Sequence, residues 1–426
     1  MNTSGHSFSD GLDVFYKLKM TKKFFILLSL LLTTLTFSCS HKEVHKNLKP
    51  LHALLKSKKG ADAVKMVDNL AKDSVLAFEP KLFDMGKQAQ ILVNDVENEK
   101  VYLKKSYDTV RFFNSTYGIY DQILKCEKLE QKKLAESGAK LKYHKANRSI
   151  IHRYYPNLCA GGRFFYKKKK YGDVTRFMEM VLDVPTYPIW GEDRSITKTE
   201  DYVDNAYLYL RSAFFNKEYV NVSRYKDLVM ADTAYRQQTL ALLTLSALSL
   251  KDSTSYLNYL RQGLVEYPKS PFFFTRMTDH FTEKKDYRAA LVLADSMLNL
   301  DNSNILFLIS KSVSLLNLQR NVESIEVSQK ILLLDSTLVA PNYYIGAAYC
   351  NLANDLKLPI NINSAAYKQV ASKQKSYYAK ALPYMECYRK KQPDEKKRWA
   401  PLLYRIYLAL NMGKQFDEIE NILRKL

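Results

Sequence analysis

Apolar residues along this chain recur at three- and four-residue spacing rather than in alternation, and between Val203 and Asn354 the whole pattern returns every 34 residues. Thr244, Thr278, Ser312 and Gly346 mark one track, with Leu210 one period earlier. Three residues on come Ala213, Ala247, Phe281, Leu315 and Tyr349, and seven before the first four of these lie Ala206, Leu240, Phe274 and Leu308. Offsets of three, four and seven keep side chains on one face of an α-helix. A polar break follows, at Lys251-Asp252 or Lys284-Lys285-Asp286, and then a second apolar run marked by Val229, Gly263, Met297 and Ile331. Each unit closes at Tyr267-Pro268, Asp301-Asn302 or Asp335-Ser336. The pattern predicts two helices per unit and an all-α chain, an α-solenoid of antiparallel helix pairs.

A period in the thirties with two helices per unit resembles the tetratricopeptide repeat family. Ile345-Gly346 followed by Tyr349 is similar to that family's first-helix motif, Ala290 stands at its second-helix Ala place, and Pro268 at its closing place. Lys311, Tyr256 and Ala294 depart from the motif, where Leu, Ala and Phe are the family's residues. The resemblance implies a right-handed superhelix whose concave face is lined by the first helix of each unit.

The chain opens differently. From Met20 it reads as two lysines, a 14-residue apolar or hydroxyl run from Phe24 to Phe37, then Ser38-Cys39. That run is shorter than the roughly 20 residues a membrane span needs, and its layout is that of a secretory signal. Asp10 and Asp13 do not suit a signal's first region, so Met20 is taken as the true start. A cysteine directly after a small residue resembles the bacterial lipoprotein box. The resemblance implies removal of residues 1–38, acylation of Cys39 and a short polar tether over 39–50. Divergent helical repeats are expected over 51–150, where the register is lost from residue 101 onward and a long solvated helix is read over the charge-rich stretch. The tetratricopeptide-like array is expected over 151–426, interrupted by loops at 186–201 and 354–364. Pro383, inside the helix that carries Ala381, Met385 and Tyr388, predicts a kink or a late helix start.

Composition supports this and narrows the partners. With 46% hydrophobic residues the chain can bury a continuous core, and only 13 Gly and 12 Pro speak against an all-β fold. The formal charge of +21 falls to +19 without residues 1–38, which hold four Lys and two Asp. Such an excess favours anionic partners. For an exported protein these are headgroups, envelope polymers or an acidic protein; nucleic acid is not expected. Spacing of the five cysteines gives no metal pattern. Cys350 and Cys387 fall on the two helices of one unit, as a disulfide or as buried thiols. No nucleotide, metal or triad motif is found, so neither enzyme activity nor cofactor nor metal is expected.

Residues just off the packing stripe of first helices are the candidate binding face. These are Arg163, Tyr166 and Lys167 in the unit at 155–188, and Tyr207, Arg211 and Phe214 in the next. Guanidinium and ammonium groups among rings suit an acidic or carboxylate-ended peptide. The corresponding places farther on, Leu245, Leu248, Ile309, Val313 and Leu316, are apolar. Two functions fit. One is a membrane-anchored, non-enzymatic scaffold that binds a protein or peptide in the cell envelope, at the outer membrane and facing the periplasm. The other is a glycan- or nutrient-binding lipoprotein, resembling the starch-utilisation outer-membrane lipoproteins. Its aromatic platform would be Trp190 in the 186–201 loop.

Overall fold

The computed structural model describes residues 46–426, and the expected leader and Cys39 lie outside them. The described chain is an all-α solenoid of antiparallel helix pairs, without strands among the described residues. It divides into two compact units, the first ending at Asp232 and the second spanning Thr233–Leu426.

The first unit contains α1 (residues 46–56), α2 (Gly60–Leu70), α3 (Pro80–Tyr102), α4 (Thr109–Ser137), α5 (His144–Lys167), α6 (Tyr171–Asp183), α7 (Glu200–Phe215) and the short α8 (Lys226–Met230). Sequence neighbours pack on each other throughout α2 to α7. Residue 150, where the sequence pattern turns from divergent to regular, falls inside α5. The charge-rich stretch, Glu127 to Lys145, is not one solvated helix: its first part ends α4, 29 residues long, with Glu127 and Glu130 buried, and Gly138 breaks the chain before α5. Asp108 starts α4 by accepting the Arg111 N–H at 2.9 Å, and Gly138 ends it in the left-handed region at φ 65°.

Polar groups occupy positions here that apolar residues hold elsewhere. Glu97 is fully buried, yet accepts the Asp108 N–H at 2.9 Å and the Lys100 ammonium at 3.0 Å, closing the α3–α4 turn. Burial pushes its carboxyl pKa up, but these bonds outweigh it and hold the group below its ordinary value. Lys87, also buried, donates to Asp84 and, at 2.7 Å, to Asn147. Asn147 donates in turn to Glu127 at 3.0 Å, and Glu127 meets His144 at 2.7 Å. This chain ties α3, α4 and α5 together.

The second unit contains five pairs: α9 (Thr233–Ser249) with α10 (Ser253–Glu266), α11 (Pro271–Glu283) with α12 (Tyr287–Leu298), α13 (Ile305–Asn317) with α14 (Asn321–Leu334), α15 (Ala340–Asn354) with α16 (Ala365–Lys391), and α17 (Lys396–Leu410) with α18 (Gly413–Leu423). The 34-residue period is written into the backbone. Lys217, Lys251, Lys285 and Gln319, each 34 residues from the next, all have φ between 57° and 63°. At each, two N–H groups fold back on the ending helix: Lys251 N–H on the Leu248 carbonyl at 3.1 Å and Asp252 N–H on that of Ala247 at 2.9 Å. This is the Schellman closure, made here by residues other than glycine. Asp252 and Asp286 then cap the next helix, accepting from Ser255 N–H at 3.1 Å and Ala289 N–H at 3.0 Å. Turns this short force the two helices to run antiparallel.

Close approach explains the small residues of the pattern. A Cβ on Gly263 of α10 would lie 2.3 Å from the ring of Phe273, which is wholly buried. Ser312 of α13 meets Ser328 of α14 at 2.5 Å, and Ser324 donates to the Ser312 carbonyl at 3.0 Å. Cys350 and Cys387 are free thiols. Cys350 is buried with Ala381, Met385 and Leu403 and serves packing, whereas Cys387 is only half-buried; the two are not bonded to each other. Pro383 does not delay its helix. α16 begins at Ala365, where Ser364 accepts the Tyr367 N–H at 3.0 Å, and runs through Pro383 to Lys391.

Glycine chemistry predicts opposite outcomes at two neighbouring positions. Gly263→Ala collides with an immobile ring, and overpacking of about 1–3 kcal/mol exceeds the ~1 kcal/mol that alanine adds to a helix; thermal unfolding should show a lower Tm. Lys251→Gly removes a left-handed strain of about 1–2 kcal/mol, in part offset by greater freedom of the unfolded chain, and should raise Tm by a few degrees.

Candidate functional site

A cavity of about 670 Å³ in the first unit opens between the start of α4, one face of α5, and α7 with the turn before it. That volume lies within the range of ligand pockets. Helix α5 supplies two ridges at four-residue spacing, Tyr155, Cys159, Arg163 and Lys167 beside Pro156, Ala160 and Phe164. Tyr107, Thr109 and Phe113 form the α4 side; Ile196, Thr199, Asp201, Tyr202 and Asn205 form the other. Thr199 fixes that side by capping α7, its hydroxyl accepting the Tyr202 N–H at 3.3 Å.

The floor is aromatic and its hydroxyls are occupied. Tyr155 donates to the Val181 carbonyl at 3.0 Å and Tyr202 to that of Leu182 at 2.5 Å. Burial pushes both phenols up, Tyr202 to about 12, so they remain protonated donors. Burial also pushes the Cys159 thiol up to about 11, and the nearby Arg163 charge offsets this only in part. The thiolate is the nucleophile of cysteine chemistry, so this thiol is inert near neutral pH. The rim is charged and open: Arg163 meets Asp201 at 3.0 Å, with side chains 46% and 76% exposed, and reaches the Asn205 amide oxygen at 3.4 Å. An exposed pair of this kind is worth about 0–1 kcal/mol, so an incoming carboxylate can displace Asp201 at small cost. Lys167 stands exposed one turn further along α5.

Of the six candidate binding residues, Arg163 and Lys167 line this cavity, and the other four gather elsewhere. The Arg211 guanidinium sits 5.7 Å from the Tyr166 ring and 5.6 Å from the Tyr207 ring, a cation held between aromatics. Phe214 packs edge-on against Phe215 at 5.8 Å and Tyr219 at 5.7 Å. The apolar positions farther on are partly buried, except Leu248, which is 52% exposed.

Trp190 stands differently from expectation. It is 6% exposed, its ring 4.2 Å from His152 and 5.0 Å from Tyr155. His152 bonds its carbonyl at 2.9 Å, and Arg148 donates to the Ile189 carbonyl at 3.0 Å. The 186–201 segment is wound into 3₁₀ turns, Pro188–Trp190 and Ser195–Lys198 among them, and is pinned on α5 through Trp190. Its later half, Ile196, Thr199 and Asp201, reaches the cavity. Tyr107, Phe113, Cys159 and Asp201 were missed from sequence. The ridge Tyr155, Cys159, Arg163, Lys167 was readable at four-residue spacing, whereas the α4 side was not, because the register is lost there.

No protein-family model and no curated protein matches this sequence. Among solved structures, the chain is similar to a human IFIT1 dimer with m7Gppp-AAAA, at 13% identity over 80% of this chain and 73% of that one, TM-score 0.34. It is also similar to yeast Tom70, at 11% identity over 89% and 87%, TM-score 0.32. A third is the P58(IPK) TPR domain, at 12% over 83% and 99%, TM-score 0.24. The site assignment rests on this chain's own geometry.

The thiol offers a direct check. Alkylation of Cys159 by iodoacetamide, followed by mass spectrometry of the native chain, should be negligible at pH 8 and rise only as pH approaches 11, since a raised thiol pKa withholds the thiolate until then. Unfolding in denaturant should restore ordinary reactivity at pH 8.

Proposed function

We propose that this chain is a non-enzymatic scaffold of the bacterial cell envelope that binds an acidic segment of a partner protein. In this reading the chain is anchored through acylated Cys39 at the outer membrane and faces the periplasm. The observation that carries it is the cavity of the first unit, with an aromatic floor and a rim where an exposed carboxylate already occupies Arg163. Asp201 holds the guanidinium as a ligand carboxylate would. A partner carboxylate takes that place, Lys167 adds a second charge, and Phe113 and Phe164 shield an adjoining apolar side chain from water. The glycan-binding alternative loses support, because Trp190, the platform it called for, is buried. Among the described residues no helix is long and apolar enough to cross a membrane. The proposed attachment is through Cys39, outside the described residues.

Fluorescence polarisation tests the site with the full chain and a labelled peptide ending in a leucine and a free acidic C-terminus. Arg163→Glu should weaken binding at least tenfold, the scale of a charge-assisted pair lost and a repulsion added. Asp201→Asn should strengthen it several-fold by removing the internal competitor. Equal binding of an amidated, lysine-ended peptide would sink the reading. In cells, crosslinking from intact envelopes should recover a specific protein with the native chain and lose it with Arg163→Glu, and Cys39→Ser should shift the chain from the membrane to the soluble fraction.

A further inference from the structure

The chain from Leu356 to Met385 contains no acidic residue and five lysines, Lys357, Lys368, Lys373, Lys375 and Lys380. It begins as the irregular segment joining α15 to α16, residues 355–364, and continues into α16. In that segment Leu358, Ile360 and Ile362 alternate with Pro359 and Asn361, and they are 41%, 101% and 64% exposed. Ile360 is as open to water as an isolated residue. Lys357, Lys368, Lys373 and Lys375 are exposed and enter no ion pair among the described residues. Tyr367, half-buried, stands in the first turn of α16 between the apolar tip and Lys368.

Loop tips are ordinarily built from Gly, Asn, Asp and Ser, so three large aliphatic groups on one small convex loop need a medium that covers them. The surrounding charge states which medium. Exposed lysines before and after the apolar tip in the chain, against one exposed carboxylate, Asp355, at the start of the segment, disfavour cationic surfaces and match an anionic one. A bilayer, unlike a rigid protein, needs no preformed hole for the tip. Its acyl region receives the aliphatic groups, while lysine stems reach back to the headgroups, and tyrosine is favoured at that boundary.

We propose that the 355–364 segment and the start of α16 form a peripheral contact with an anionic bilayer, inserting Leu358, Ile360 and Ile362 below the headgroups while Lys357, Lys368, Lys373 and Lys375 bind headgroup phosphates. This contact is independent of the Cys39 anchor and of the cavity in the first unit. An anchor alone leaves a chain free to swing on its tether; a second contact holds the second unit against the surface.

A local reporter tests it in the full chain. Ile360→Trp places an indole at the tip, and the native Trp190 and Trp399 are only 6% and 2% exposed, so their emission is a fixed background. On vesicles of phosphatidylcholine with phosphatidylglycerol, the added indole should shift to the blue and be quenched by brominated acyl chains; on phosphatidylcholine alone it should not. Adding Lys368→Gln, Lys373→Gln and Lys375→Gln should weaken partitioning on the order of a hundredfold, at about fivefold per lysine. Because the indole reads only its own depth, recruitment by the N-terminal segment does not mimic the signal. No shift on anionic vesicles overturns the proposal, as does equal quenching on both vesicle types or insensitivity to the three lysine substitutions. A blue shift that grows with protein concentration without lipid also overturns it, and assigns the tip to a second copy of the chain.

Discussion

A helix that must stop and reverse within three residues leaves carbonyls without partners, and the way this chain satisfies them governs its architecture. Each closing turn takes one residue into the left-handed region and folds two N–H groups back on the ending helix. The lysine usually found there carries a conformational cost. It also places a cation at the negative end of the helix it terminates, which offsets part of that cost. Once the turn is fixed, the second helix can only lie antiparallel on the first, and the separation of the axes decides what fits between them. The serine contacts of α13 and α14 are the outcome of that separation, and Gly263 beneath Phe273 is the same close approach between one pair and the next.

This explains how much of the fold was legible in sequence. The 34-residue tracks were visible because turn, cap and small residue recur together, each required by the one before. Legibility ended where a different physics operates. Around α3, α4 and α5 the buried positions hold Glu97, Lys87, Asn147 and Glu127, and a hydrophobic pattern is blind to polar side chains that satisfy one another inside a core. Such groups stabilise only as a set, since removing one leaves its partner buried and unpaired. Pro383 does not set the start of its helix for a related reason: with Tyr378, Ala381 and Met385 buried along it, α16 begins well before Pro383 and runs on past it.

The candidate site was legible in part. Arg163 and Lys167 follow from helical spacing alone, because residues four apart share a face. Their opposite wall comes from a segment whose composition reads as loop, and only its winding onto α5 brings Ile196, Thr199 and Asp201 across from them. Trp190 shows the limit most plainly. Composition placed an aromatic ring in a polar stretch, but the free energy of burying so large a ring favours using it as a fastener, and His152 and Tyr155 provide its seat.

The irregular segment between α15 and α16 shows what this architecture tolerates. Ser364 restarts the helix with its own cap, and Tyr378, Ala381, Met385 and Tyr388 still fall on the buried face. The residues inserted ahead of them therefore leave the packing of the pair intact. Length and composition there are uncoupled from folding, which makes residues 355–364 a natural grafting point. A new recognition sequence could be carried at that position, by inheritance or by design, while the rest of the array stays as it is.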